Sequence, residues 1–137
     1  MDSKTATVVD QVVDAMRDAD WDAIAATYAA DVLLDMNLPT WRFQLQGREA
    51  ATEYLREQTS GLTNLHLVSQ QVHHTDNGVI IEEEMRFDGN DGEYLWRAVD
   101  IFRIDGDTVT DHTQYCTGCW SPDQIARQIH EAPMVRW

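Results

Sequence analysis

Apolar positions recur along this 137-residue chain with two different periods. Over residues 5–18, Val8, Val9, Val12, Val13 and Met16 fall three or four apart with Asp10, Asp14 and Arg17 opposite, the spacing of an amphipathic helix. Asp18-Ala19-Asp20 interrupts the run, and Asp20 can cap a second helix whose buried stripe is Trp21, Ile24, Ala25 and Tyr28. Gly47 opens a third helix over about 48–58 that buries Ala51, Tyr54 and Leu55. Ser121-Pro122-Asp123-Gln124 marks a fourth start, with Ser as cap, Pro at the first position and Gln reaching back. That helix is predicted over 122 to about 131, with Ile125 and Ile129 as its apolar pair.

Elsewhere the period is two. Val32–Asn37 reads as a short strand ended by Leu38-Pro39, and Trp41–Leu45 can return beside it. Long strands follow over about 62–75, 78–88, 93–104 and 107–117, joined at Asp76-Asn77-Gly78, Asp88–Gly92 and Asp105-Gly106-Asp107. Helices first and an antiparallel meander afterwards predict an α+β fold with helices on one side of the sheet. Strands of this length twist and curl, so sheet and helices should form a cone with a concave pocket. No repeat or linker divides residues 1–137, which are read as one domain.

The strand at 93–104 carries the first clue to chemistry. Tyr94, Trp96, Ala98, Asp100, Phe102 and Ile104 share one face, and that face is apolar except for Asp100. A carboxylate in such a stripe must be paired, protonated or used. On the preceding strand, a two-residue turn at Asn90-Asp91 puts Glu83 inward with Ile81, Met85 and Phe87, and sets Glu84 against Arg97 outside. A three-residue turn would send Glu84 and Arg86 inward instead. With Glu83 inside, Met85, Phe87 and Trp96 form one apolar wall. Strict alternation places His66 with Val68, Gln70 and Val72, and His112 with Thr110, Gln114 and Cys116. A one-residue bulge would turn His112 outward and bring Asp111, Thr113 and Tyr115 in. Trp41 and Phe102 are expected in the pocket wall or core. Asp35, between Leu34 and Met36, either faces water at a strand end or reaches the pocket.

Composition narrows the function classes. The net charge of −14, from 24 acidic and 10 basic side chains, opposes binding to nucleic acid or an anionic membrane. A hydrophobic content of 43% with five tryptophans is that of a folded globule. Neither a signal peptide nor a membrane span is recognisable, which makes the cytoplasm the expected location. Cys116 and Cys119 form a C-x-x-C at the end of an antiparallel strand, without a second pair or further metal ligands at suitable spacing. Structural or incidental thiols are expected there, and no metal. His73-His74 reads as strand-end surface.

Several short segments together resemble the nuclear transport factor 2-like superfamily, and within it the SnoaL-like group. They are Asp20-Trp21-Asp22, the Asp31–Asp35 strand, Gln46-Gly47-Arg48-Glu49 and Val99–Gly106, which span nearly the whole chain. The resemblance implies a cone-shaped, cystatin-like α+β barrel; its members include ketosteroid isomerases, scytalone dehydratase, limonene epoxide hydrolase, polyketide cyclases and proteins without catalysis. Fold alone does not choose among these. By position, Asp100 resembles the ketosteroid isomerase Asp that donates to the substrate oxygen, and Asp35 falls where that family keeps its general base. Val12 stands where its tyrosine is expected. Asn37 matches a polar residue with which limonene epoxide hydrolase holds water, whereas Gln114 replaces its last Asp. His66 aligns with a pocket histidine of scytalone dehydratase.

These readings converge on a small cofactor-free enzyme acting by general acid–base chemistry on an apolar, ring-bearing metabolite, by isomerisation, cyclisation or dehydration. The candidate catalytic residues are Asp35, His66, Asp100 and His112, with Asn37, Trp41, Glu83, Met85, Trp96, Phe102 and Gln114 around the substrate. Alternatives are a non-catalytic module that shelters a hydrophobic ligand, and an epoxide-hydrolase-like activity. Leu95, Val99 and Ile101, flanked by Arg97 and Arg103, make the outer sheet face a candidate homodimer surface.

Overall fold

Side chains cap three of the four helices where the spacing places their starts. In the computed structural model, which describes residues 1–136, α1 (Ser3–Asp18) begins at Asp2, whose carboxylate accepts from the Thr5 N–H at 2.8 Å. Ala19, in the left-handed region at φ 49°, ends it. Asp20 caps α2 (Trp21–Thr27) through the Ala23 N–H at 3.1 Å. Beyond α3 (Arg48–Thr59), α4 (Pro122–Glu131) carries the reciprocal cap between Ser121 and Gln124.

Six strands make one sheet: β1 (Tyr28–Leu38), β2 (Trp41–Gln46), β3 (Thr63–Thr75), β4 (Gly78–Gly89), β5 (Gly92–Asp105) and β6 (Thr108–Cys116), in the order β2-β1-β6-β5-β4-β3. The meander from β3 to β6 is the one that alternation predicts. The chain also pairs β1 with β6 in parallel, a contact between distant segments that no local pattern announces. Val8, Val9, Val12, Ala15 and Met16 of α1 are buried in the core formed with Val79, Ile81, Phe102, Ile104 and Val109 of the sheet.

The turn after β4 fixes the inward register. Gly89 pairs with Gly92, so Asn90-Asp91 is a two-residue turn, and Ile81, Glu83 and Met85 stand opposite Asp100, Ala98 and Trp96. At the other end of the pair, a Cβ on Gly78 would lie 1.9 Å from the Phe102 carbonyl oxygen. Gly78→Ala is therefore expected to force the two strands apart and to cost about 1–3 kcal/mol in urea unfolding.

The convex face differs from expectation at one residue. Leu95 is 3% exposed because the segment after β6 folds over it: Leu95 and Trp120 exchange backbone hydrogen bonds of 3.2 and 2.7 Å. It is thus removed from the apolar outer surface, which retains Val99 and Ile101. Among the described residues, no helix is long and apolar enough to cross a membrane.

Candidate active site

On the concave side the sheet and the first three helices enclose a pocket of about 270 Å³. Its wall is largely apolar, with Met16 from α1, Trp21 from α2, Met36 and Leu38 from β1, Tyr54 and Leu55 from α3, and Met85 and Trp96 from the sheet. Glu83 and Gln114 bring polarity from the sheet side, and Gln58 and Thr59 from α3.

Among the described residues Glu83 is the only ionisable carboxyl on that wall, and it is 6% exposed. Among the same residues no N–H or O–H of the chain is paired with its Oε2. Burial first, and then the charge of Asp100 and a hydrogen bond with it, hold the Glu83 carboxyl well above the ordinary glutamate value of 4.5. Asp100 is fully buried directly behind the wall. Its Oδ1 accepts from His112 Nε2 at 2.6 Å and from Gln114 Nε2 at 2.9 Å, whereas its Oδ2 meets no donor among the described residues. One proton shared by the Glu83 and Asp100 carboxyls would give these buried oxygens a donor. The pair then forms a dyad with a single negative charge.

A chain of buried groups supports the dyad. His112 is fully buried, stacked on Phe102 with ring centroids 4.0 Å apart, and its Nδ1 lies 2.6 Å from the Tyr28 hydroxyl. Burial and the Asp100 charge push the Tyr28 phenol well above its ordinary value, so it keeps its proton. His112 is its hydrogen-bond partner, so that proton is donated to Nδ1 and the Nε2 proton points to Asp100. Tyr28 owes its position to the start of β1, where its carbonyl accepts two bonds from Arg48, at 3.1 and 2.8 Å.

Of the residues singled out in the sequence, Glu83, Met85, Trp96 and Gln114 meet at the pocket, and Asp100, His112 and Phe102 lie immediately behind it. The other four lie elsewhere. Asp35 and Asn37 point to the convex side, since Leu34 and Met36 occupy the inward positions of β1. Arg42 holds Asp35 in a bidentate pair of 2.9 and 2.7 Å and keeps its carboxyl below the usual range. Asn37 donates to the Gln114 carbonyl at 3.3 Å. Trp41, at the start of β2, is 68% exposed. His66 fails for a different reason. A bulge between Leu67 and Ser69 breaks the alternation, so Gln70 and Val72 pair with the inward Glu83 and Ile81 while His66 pairs with Arg86 outside. A second bulge, with Thr110 of β6 as the extra residue opposite Arg103 and Ile104, lies before His112, which faces in.

Asp35→Asn breaks only an outer-face ion pair. It is expected to cost at most about 1 kcal/mol of stability. Ligand quenching of Trp21 and Trp96 fluorescence should be unchanged.

Sequence reasoning misses the place of four residues. The spacing predicts Tyr28 to be buried, but as part of a helical stripe. Tyr54 is predicted in the core, yet it lines the pocket. Cys116 and Cys119 are free thiols on the same wall, and burial raises both above the ordinary thiol value. The alternation that puts Cys116 inward is the available signal. Among the described residues no cluster suits a metal ion.

The fold is shared with solved structures. The chain is similar to a nuclear transport factor 2-like protein from Anabaena variabilis, with TM-score 0.68, 16% identity, and coverage of 88% of this chain and 92% of the other. It is also similar to a candidate SnoaL-like polyketide cyclase from Shewanella putrefaciens, with TM-score 0.65, 14% identity, and coverage of 95% and 87% respectively. An epoxide hydrolase from M. tuberculosis resembling limonene epoxide hydrolase gives TM-score 0.62, 13% identity, and coverage of 93% and 91%. At these identities the likeness concerns the fold. No curated protein matches the sequence. Residues 9–112, more than half of the chain, match the SnoaL-like domain, and the chain belongs to that family.

Proposed function

We propose that the protein is a small enzyme that works without a cofactor and moves a proton within an apolar, ring-bearing metabolite. The observation that carries this reading is the Glu83–Asp100 pair, buried at the floor of an apolar pocket with Glu83 on its wall. In the singly protonated dyad, the pocket-facing oxygen of Glu83 takes a proton from the substrate while the shared proton moves onto Asp100. The reverse movement returns a proton at a second position, and the net result is isomerisation. The buried His112–Tyr28 chain keeps the Asp100 acceptor in place and excludes water behind it. Tyr54, whose hydroxyl has no hydrogen bond within the described residues, is the O–H donor available to a substrate oxygen.

Polyketide, steroid and epoxide substrates are the compounds to screen. Turnover should rise and then fall with pH, being lost on the alkaline side once the dyad gives up its shared proton. A rate that keeps climbing through the alkaline range would remove the dyad from the chemistry. One observation favours a non-catalytic, ligand-sheltering role: among the described residues no second carboxyl or imidazole stands on the wall beside Glu83. Co-purification of an unchanged ligand, with no turnover of any screened compound, would select that reading.

The outer face carrying Val99 and Ile101 between Arg97 and Arg103, beside the 53%-exposed Tyr115, is proposed to pair two copies of the chain. A light-scattering mass of two chains is expected, and a monomer mass would contradict it.

A further inference from the structure

The pocket has a one-sided electrostatic character. Among the described residues, no Lys, Arg or His is on its wall. Its single ionisable carboxyl, Glu83, is more than nine-tenths buried and is met by no donor of the chain at Oε2. The charge of Asp100 lies just behind, with no Lys or Arg of the described residues paired to it. Three of the other donors on the wall are already committed, Trp21 Nε1 to the Thr59 hydroxyl at 2.8 Å among them. Gln114 donates to Asp100, and the Thr59 hydroxyl is held by the Leu55 carbonyl at 3.1 Å. Much of the remaining surface is aromatic faces and thioethers, from Trp21, Trp96, Tyr54, Met16, Met36 and Met85.

Such a site disfavours anions. A carboxylate or phosphate would place a second negative charge beside the dyad, away from water and with no cation to offset it. A cation reverses every term. Its charge cancels that of the dyad, its N–H can donate to the pocket-facing oxygen of Glu83, and aromatic rings attract it further.

We propose that the pocket takes a hydrophobic nitrogen base, an amine or imine, in its cationic form, with the nitrogen against Glu83 and the apolar body along the tryptophan and methionine wall. This rests on the proton-moving pocket described above and names its substrate class. It also fits the chemistry. In a protonated imine (C=N⁺H) with a C=C at the β,γ position, the α C–H gives its proton to Glu83, its electron pair becomes the α,β C=C and the C=N π pair moves to nitrogen. A neutral enamine results, so no new negative charge develops in the pocket. Returning the proton at the γ carbon gives the conjugated iminium and completes the isomerisation with no further reactant.

Calorimetric titration of the intact protein near neutral pH with three matched probes tests this assignment. The probes are N,N-dimethylbenzylamine (cationic), isobutylbenzene (its neutral carbon counterpart) and phenylacetate (anionic). The amine should bind at least about tenfold more tightly than isobutylbenzene, and phenylacetate should show no binding. Glu83→Gln should retain isobutylbenzene and lose the amine's advantage; Asp100→Asn serves the same comparison if that variant does not fold. Equal affinities for amine and isobutylbenzene in the wild type would overturn the amine assignment while leaving the apolar pocket intact. Failure of all three probes to bind would remove the pocket reading together with it.

Discussion

Replacing Asp100 with alanine is expected to cost the protein about 3–5 kcal/mol of folding free energy, the largest loss at any single side chain of the site. The side chain is fully buried and accepts from both His112 and Gln114. Truncation leaves the His112 Nε2 proton and a Gln114 N–H facing a void, while Tyr28 continues to hold the imidazole from the other side. The Asn variant keeps the shape and one acceptor oxygen, and should lose less, about 1–3 kcal/mol. Urea unfolding at neutral pH, with an unchanged dependence on denaturant, measures both. A loss below about 1 kcal/mol for Asp100→Ala would mean that the buried chain is not held through this carboxylate.

Glu83→Gln separates stability from chemistry. A proton-moving role for Glu83 requires turnover to fall by about 10²–10⁴-fold in the variant, since the amide can neither accept nor return a proton. Stability should move the other way on the alkaline side. In the folded protein the Glu83 carboxyl titrates above the value of 4.5 that it has in an exposed chain, so its protonated form favours folding. That contribution is complete below the ordinary value and is lost as the pH rises through the folded one. The glutamine amide mimics the protonated acid at every pH. Wild type and variant should therefore match below about pH 4 and diverge progressively as the pH rises past the ordinary glutamate value, with the variant melting higher. Identical melting temperatures across the range would show that burial does not hold the proton on Glu83.

Much of this architecture is legible in the chain because its signals are local. The turn Asn90-Asp91 and the alternation on either side place Glu83, Met85, Trp96 and Asp100 on one face, and that register is the one found. The Asp35 position is legible too. Leu34 and Met36 claim the inward places, so the strand's own period sends Asp35 outward, against the role implied by family resemblance. His66 is not legible, because a single extra residue at a bulge reverses the alternation and leaves no mark in composition. Nor is the place of Tyr28. Its hydroxyl reaches His112, 84 positions away, only because β1 lies parallel to β6, a pairing that pattern alone does not encode. Sequence thus finds the groups on one strand pair, whereas the supporting chain behind them depends on the closure of the sheet.

The central claim is that a proton resides on the Glu83–Asp100 pair at neutral pH, on the floor of the pocket. Carbon-13 NMR of the glutamate side-chain carboxyls, with the Glu83 signal assigned by its absence in Glu83→Gln, tests this most directly. The expected result is a carboxyl that remains protonated at neutral pH and titrates far above the other glutamates. A Glu83 signal that titrates together with the surface glutamates would contradict the account.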